Sequence, residues 1–358
     1  MRIDPITYME WAKNRPEARI NLSLSGWADL SWKDLALGRK SLDINGEHPY
    51  GYAPLVEALV SRYDVSEDSV VTTNGASQAV FFTCAALIEP GDEVLVEKPA
   101  YEPLLAVPRF FRARIRRLER RFEEGYAIDP DTLRAAISPR TKLVILTNLH
   151  NPSGALLSRR AVKELALAAA ARGVMILVDE IYLEFAEGKK GTTSFSLSEN
   201  IIVASSLTKV YGLGGLRCGW LLAPAPLAAK VKRLLDYVSV EGVFIGEQIS
   251  ARVFSRLDAI RVRNAPMIKR NLGVVRDFVR GEERLRWVEP AHGIICFPRI
   301  EASLDGDELL RLLLEKYGTS VVPGRFFEAR KHFRLGFGLS TPWLKRGLRN
   351  IGKALEAY

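Results

Sequence analysis

Asn200-Ile201-Ile202-Val203-Ala204-Ser205-Ser206-Leu207-Thr208-Lys209-Val210-Tyr211-Gly212-Leu213-Gly214-Gly215-Leu216-Arg217 is the stretch that decides how this chain is read. Its first half is a short apolar run rich in β-branched residues and closed by polar ones, which predicts a buried strand. Lys209 follows that strand between polar residues and a glycine-rich turn, with Arg217 just beyond. An amine held at a strand end in this way can act as a nucleophile toward an aldehyde.

The same pattern recurs on either side. Residues 70–73, 94–96, 142–147, 174–178 and 218–222 are further short strand candidates. Helical spacing separates them: Leu55 and Leu59, the run Ala79 to Phe82, and Val162, Leu165 and Ala169 after Ser158. Gly173 is placed to end the last of these in a left-handed turn. Apolar runs without alternation, separated by helices, predict an α/β fold with a mostly parallel sheet covered on both faces. Beyond residue 225 long helices follow. From about residue 269 short strands and helices mix, which predicts a smaller α+β domain. The expected division is a large domain over 44–268 and a small domain built from 1–43 and 269–358.

Composition narrows the function classes. Hydrophobic residues make up 47% and charged residues 26%, the balance of an ordinary globular protein and not of a disordered one. The net charge of +9 does not predict nucleic-acid binding, because Lys and Arg are spread widely. The densest basic run, 112–121, is interrupted by Ile115 and Leu118 and reads as a solvated face. Cys84, Cys218 and Cys296 are odd in number and far apart, so neither a disulfide framework nor a metal site is expected. The start lacks an apolar leader, and the longest apolar stretch, 165–178, is broken by Arg172 and Gly173. No membrane partner is expected, and the expected location is the cytoplasm.

In an open parallel sheet, ligands bind beyond the carboxyl ends of the strands. Asn151 follows one predicted strand, Asp179 and Tyr182 a second, and Lys209 a third. Asp179 suits a protonated ring nitrogen, and Tyr182 and Asn151 suit a ring hydroxyl. Gly75, Ala76 and Ser77 open a helix, where unpaired N–H groups face an anion. Ser206 and Arg217 supply a hydroxyl and a charge for the same phosphate. Tyr101, after the 94–96 strand, can stack on the ring. Singly, each has a plainer reading: a helix cap for Asp179, a core aromatic for Tyr101 or Tyr182, a surface amine for Lys209. His150 reads as a loop residue without a catalytic part. Together they describe a site for pyridoxal 5′-phosphate (PLP).

Three motifs then resemble the class I and II aminotransferase family, the PLP enzymes of fold type I. They are Asn151-Pro152-Ser153-Gly154, Asp179-Glu180-Ile181-Tyr182, and Ser206-Leu207-Thr208-Lys209 with Gly212 to Trp220 behind it. The resemblance implies that Lys209 forms the Schiff base with PLP and shuttles the proton. It also implies that Arg334, in Phe333-Arg334-Leu335-Gly336, clamps the substrate α-carboxylate, with Gly26 and Asn151 on the substrate side. Tyr50 is identified as the tyrosine that reaches a phosphate across a homodimer interface with shared active sites. Ala76 stands where some members have Gly, and Thr208 where many have Ser; a backbone N–H and a hydroxyl survive. The implied reaction moves the amino group of an L-amino acid to a 2-oxo acid, 2-oxoglutarate first among the acceptors. Tyr50-Gly51-Tyr52 is also reminiscent of carbon–sulfur lyases, which makes β-elimination the alternative. A non-catalytic binding module on the same fold is a further one. No arginine for a substrate side-chain carboxylate is evident.

Overall fold

The computed structural model describes residues 3–27, 30–35, 42–186 and 192–356. Strand β1 (Ile20–Asn21) lies near the N-terminus. It is followed by β2 (Val70–Asn74), β3 (Glu93–Lys98), β4 (Arg114–Glu119), β5 (Thr141–Thr147), β6 (Met175–Asp179), β7 (Ile201–Ser206) and β8 (Cys218–Leu222). The last seven form one sheet in the order β2-β8-β7-β6-β5-β3-β4. The pairings from β4 through β7 are parallel, whereas β8 is antiparallel to both β7 and β2. An antiparallel neighbour of an antiparallel strand runs with the rest, so β8 alone is reversed.

That reversal builds the site. The parallel strands deliver their carboxyl ends to one rim, and β8 delivers its amino end to the same rim. Gly75 after β2, Tyr101 after β3, Asn151 after β5, Asp179 at the end of β6 and Lys209 after β7 therefore meet Arg217, which precedes β8.

The sheet is buried on both faces, as the apolar runs predicted. Alternation along β5 shows it: Leu143 and Ile145 join the core that holds Leu177 and Ile202, while Val144 and Leu146 join the core with Ile176 and Val178. The Arg159–Ala170 helix packs below, started by Ser158, whose Oγ accepts from Ala161 N at 3.1 Å. Gly173 takes φ +67° two residues past the helix's C-cap, Ala171.

The basic run at 112–121 contains an edge strand. β4 exposes Arg114, Arg116 and Glu119 and buries Leu118, the charged alternation that protects a sheet edge from pairing.

The chain ends are joined. β1 pairs in parallel with Thr319–Ser320. Leu22 N donates to Ser320 O at 2.8 Å, and Gly336 N donates to Leu22 O at 2.7 Å. Phe333–Gly336, which carries Arg334, pairs antiparallel with Ile295–Cys296 and Val322–Pro323. The last helix runs Thr341–Leu355. Residues 1–2 and 357–358, which the expected small domain includes, lie outside the described residues, as do 28–29 and 36–41. Among the described residues no helix is long and apolar enough to cross a membrane.

Candidate active site

A cavity of about 280 Å³ at the rim is lined by ten of the residues expected for cofactor binding: Gly75, Ala76, Ser77, Tyr101, Asn151, Asp179, Tyr182, Ser206, Lys209 and Arg217. A second chamber of about 310 Å³ adjoins it through Tyr8, Ser25, Tyr101 and Lys209, and takes in Gly26. Gly26 packs directly on the lysine; a β-carbon there would stand 3.4 Å from Lys209 Cδ. Trp27 N donates to Lys209 O at 2.9 Å, so the N-terminal arm holds the backbone that presents the amine.

Asp179 is buried, and its Oδ1 accepts from Ile181 N at 3.1 Å. Burial pushes its carboxyl up to about 7; the Glu97 charge adds to the rise, while the Ile181 N–H and the Lys209 charge oppose it. A buried acid poised this way accommodates a cationic partner and regains its charge when one arrives. Burial also pushes the Tyr182 phenol up to about 12, so it stands as a neutral hydroxyl at neutral pH.

The other end of the cavity is an anion cradle. The 12-residue helix Ala76–Leu87 begins there without a side-chain cap, so the N–H groups of its first turn are not used by one. Gly75 precedes it at φ +81°, and a β-carbon there would lie 2.6 Å from Arg217 Nη2. Glycine is therefore required both for the backbone turn and for the approach of the guanidinium. Arg217 Nη2 donates to Asn74 O at 3.0 Å, and Ser206 Oγ accepts from Thr208 N at 3.2 Å. An uncapped helix start beside a guanidinium, a buried carboxylate, a phenol, an amide and a lysine on one cavity are the groups PLP needs.

Asn151 rests on a buried support that sequence reading did not find. Its N–H donates to Thr147 Oγ1 at 2.9 Å. Glu97 accepts from Thr147 N at 2.9 Å and from Arg120 Nη1 at 2.7 Å, with Glu97 and Arg120 both out of solvent. Burial works against both charges, and each pulls the other back. His150 lies between Ser153 Oγ at 2.6 Å and Pro99 O at 2.9 Å, and burial keeps it neutral. It braces the loop.

Arg334 is buried behind the cavity wall. Its Nη1 donates to Asn151 Oδ1 at 2.9 Å, and its Nη2 donates to Tyr8 OH at 2.9 Å and to Ser23 O at 3.3 Å. Its Nε is buried and has no hydrogen-bond partner among the described residues. Tyr8 comes from the N-terminal helix Thr7–Asn14 and packs edge-on against Tyr101 at 5.4 Å. Glu102 fixes this helix by accepting from Tyr8 N at 2.6 Å and from Thr7 N at 3.2 Å. Tyr8, Ser25 and Trp27 escaped sequence reading because the arm carries no motif of its own. Tyr50 lies outside the cavity, 40% exposed, with its OH donating to Asp236 Oδ2 at 3.2 Å.

The family model described as aminotransferase class I and II matches residues 41–351. Capreomycidine synthase of Streptomyces vinaceus is 32% identical over 98% of this chain and 93% of its own length. A PLP-dependent aminotransferase from Streptococcus suis superposes with a TM-score of 0.92 at 25% identity, covering 100% of this chain and 99% of that one. A PLP-dependent cyclase superposes with a TM-score of 0.90 at 26% identity, covering 100% and 98%.

Proposed function

The chain belongs to the aminotransferase class I and II family and is a PLP-dependent enzyme, and from that premise we propose that it moves the amino group of an L-amino acid to a 2-oxo acid, with 2-oxoglutarate as the first acceptor to try. The observation that carries this reading is the convergence of Lys209, Asp179 and the Gly75–Arg217 cradle on one cavity from four strands.

When bound, PLP supplies an electrophilic aldehyde and a ring that takes up the electron pair released at the substrate Cα. The residues of this chain do the rest. Lys209 Nζ would hold the aldehyde end of the cofactor and, with substrate bound, would accept the Cα proton and return it. Asp179 would keep a proton on the ring nitrogen. Tyr182 and Asn151 would hold the ring oxygen, and Tyr101 would pack against the ring. The N–H groups of Ala76 and Ser77, with Ser206 and Arg217, would hold the phosphate. Arg334 would receive the substrate α-carboxylate by exchanging its bonds to Asn151 and Tyr8 for it, with Gly26 keeping the approach to Lys209 narrow.

On this reading the cofactor side belongs to the domain over 44–268, and the substrate side is completed by the domain from 1–43 and 269–358. A homodimer with shared sites is part of the proposal. The exposed Tyr50, together with exposed Tyr237 and Val240, supports a partner surface on which Tyr50 reaches the other phosphate. Three buried free thiols fit a cytoplasmic setting.

The likeness to capreomycidine synthase and to a PLP-dependent cyclase favours one second reading: chemistry on the substrate carbon skeleton without net amino transfer. Absorbance of the holoenzyme separates the two. Under amino transfer, one amino acid without acceptor moves the cofactor band to shorter wavelength, and an oxo acid restores it. A band that returns by itself while a new product forms, or while pyruvate and ammonia accumulate, refutes amino transfer. Lys209→Ala is expected to abolish turnover and retain the cofactor; unchanged turnover refutes the assigned role.

A further inference from the structure

The second chamber carries a feature that the amino-transfer chemistry does not use. Of the charged described residues that line it, Lys209 is the reactive amine and Arg15 has no part in the reaction just described; among the described residues no Asp or Glu lines it. Arg15 is the C-cap residue of the N-terminal helix. Its Nη1 donates to Ala12 O at 2.9 Å, and its guanidinium carbon stands 5.7 Å from the Trp11 ring centroid. Among the described residues no carboxylate pairs with it. One of its three guanidinium nitrogens thus satisfies the helix end, and the ring contact restrains the plane. A fork of N–H donors is left with no acidic partner.

The chamber joins the cofactor cavity at Lys209, while Arg334 lies behind Tyr8 and Asn151. A substrate whose α-carboxylate goes to Arg334 and whose Cα stands at Lys209 has this chamber open to its side chain. Arg15 is the charged group on its described lining that the reaction leaves unused. An acidic side chain gains from it, and a guanidinium or ammonium side chain is repelled.

We propose that Arg15 is a specificity-determining residue that receives the distal carboxylate of a dicarboxylic amino acid or 2-oxo acid. This rests on the amino-transfer reading for its orientation, because Arg334 must take the α-carboxylate. It supplies the side-chain arginine that no sequence motif marked.

The test uses the holoenzyme, its Arg15→Gln and Arg15→Lys variants, and two unreactive probes, succinate and butyrate. Probe binding is read from the cofactor absorbance, and kcat/KM is measured for aspartate, glutamate and an apolar amino acid. Arg15→Gln is expected to weaken succinate by about tenfold or more, with butyrate unchanged. Arg15→Lys is expected to fall between, since it keeps charge and loses the fork. Equal loss for both probes, no loss for either, or a wild-type preference for a cationic amino acid overturns the proposal. Selective succinate binding without any amino transfer would refute the reaction and leave Arg15 standing. Transfer whose acidic preference survives Arg15→Gln would do the reverse.

Discussion

Removing the charge of Asp179 changes how the cofactor-free protein responds to pH, and the size of the change follows from burial. The folded carboxyl titrates near 7 because it is out of water, against about 3.9 for an unfolded aspartate. Between these values the folded state binds the extra proton, so stability falls as pH rises through the window and levels off above the folded value. From about pH 5.5 to about pH 8 the Asp179 contribution falls by about 2 kcal/mol. Glu180, which burial also pushes up to about 7, adds a loss of the same sign and similar size. Asp179→Asn should therefore remove about half of the combined loss. Bound PLP should do likewise, because a protonated ring nitrogen draws the carboxyl down. Urea unfolding of the cofactor-free wild type, the variant and the loaded protein at both pH values measures all three. A variant that keeps the full wild-type slope would refute the argument that burial sets the titration of Asp179.

Two further substitutions probe the site's walls. Gly75→Ala places a β-carbon 2.6 Å from Arg217 Nη2 at a backbone angle that alanine resists. PLP affinity should drop by about tenfold or more, read by equilibrium dialysis, with little change in kcat at saturating cofactor. Tyr8→Phe removes the hydroxyl that accepts from Arg334 Nη2 at 2.9 Å. A charge-assisted hydrogen bond of this kind is worth about 1.5–3 kcal/mol. A shift of KM for amino acids of at least about tenfold is expected, while cofactor affinity stays constant; a change in cofactor affinity alone would contradict the placement of Tyr8 on the substrate side.

What could be read in advance tracks how local each signal is. The strands β5 to β8 were legible because their residues are apolar without interruption, and that reports burial on both faces. Lys209, Asp179 and Asn151 were legible because each sits within a few residues of such a strand end. β4 was not, since an edge strand that sets exposed Arg beside a partly buried Ile115 and a buried Leu118 looks like a basic surface run. The reversal of β8 was not legible either: a buried strand has the same composition in either direction. Tyr8 and Arg15 had no local signal, because what gives them meaning is docking against residues far along the chain. The link from Tyr8 to Arg334 crosses 326 positions.

The single reversed strand also sets the order in which the molecule can be made. Among the described residues of the large sheet β2 pairs only with β8, so a buried strand completed at residue 74 waits for residues 218–222 before it has a partner. At typical synthesis speeds those roughly 150 residues take about 7–30 s to emerge. During that time the Gly75 turn after β2 lacks the strand that pairs with β2. The N-terminal arm waits longer still, for Thr319–Ser320 and Arg334. On the proposed assignment, a nascent chain completes the residues for holding PLP well before those for holding an amino acid. Cofactor present during synthesis can stabilise the growing chain at the first stage, while substrate has nothing to bind until nearly all of it has been made.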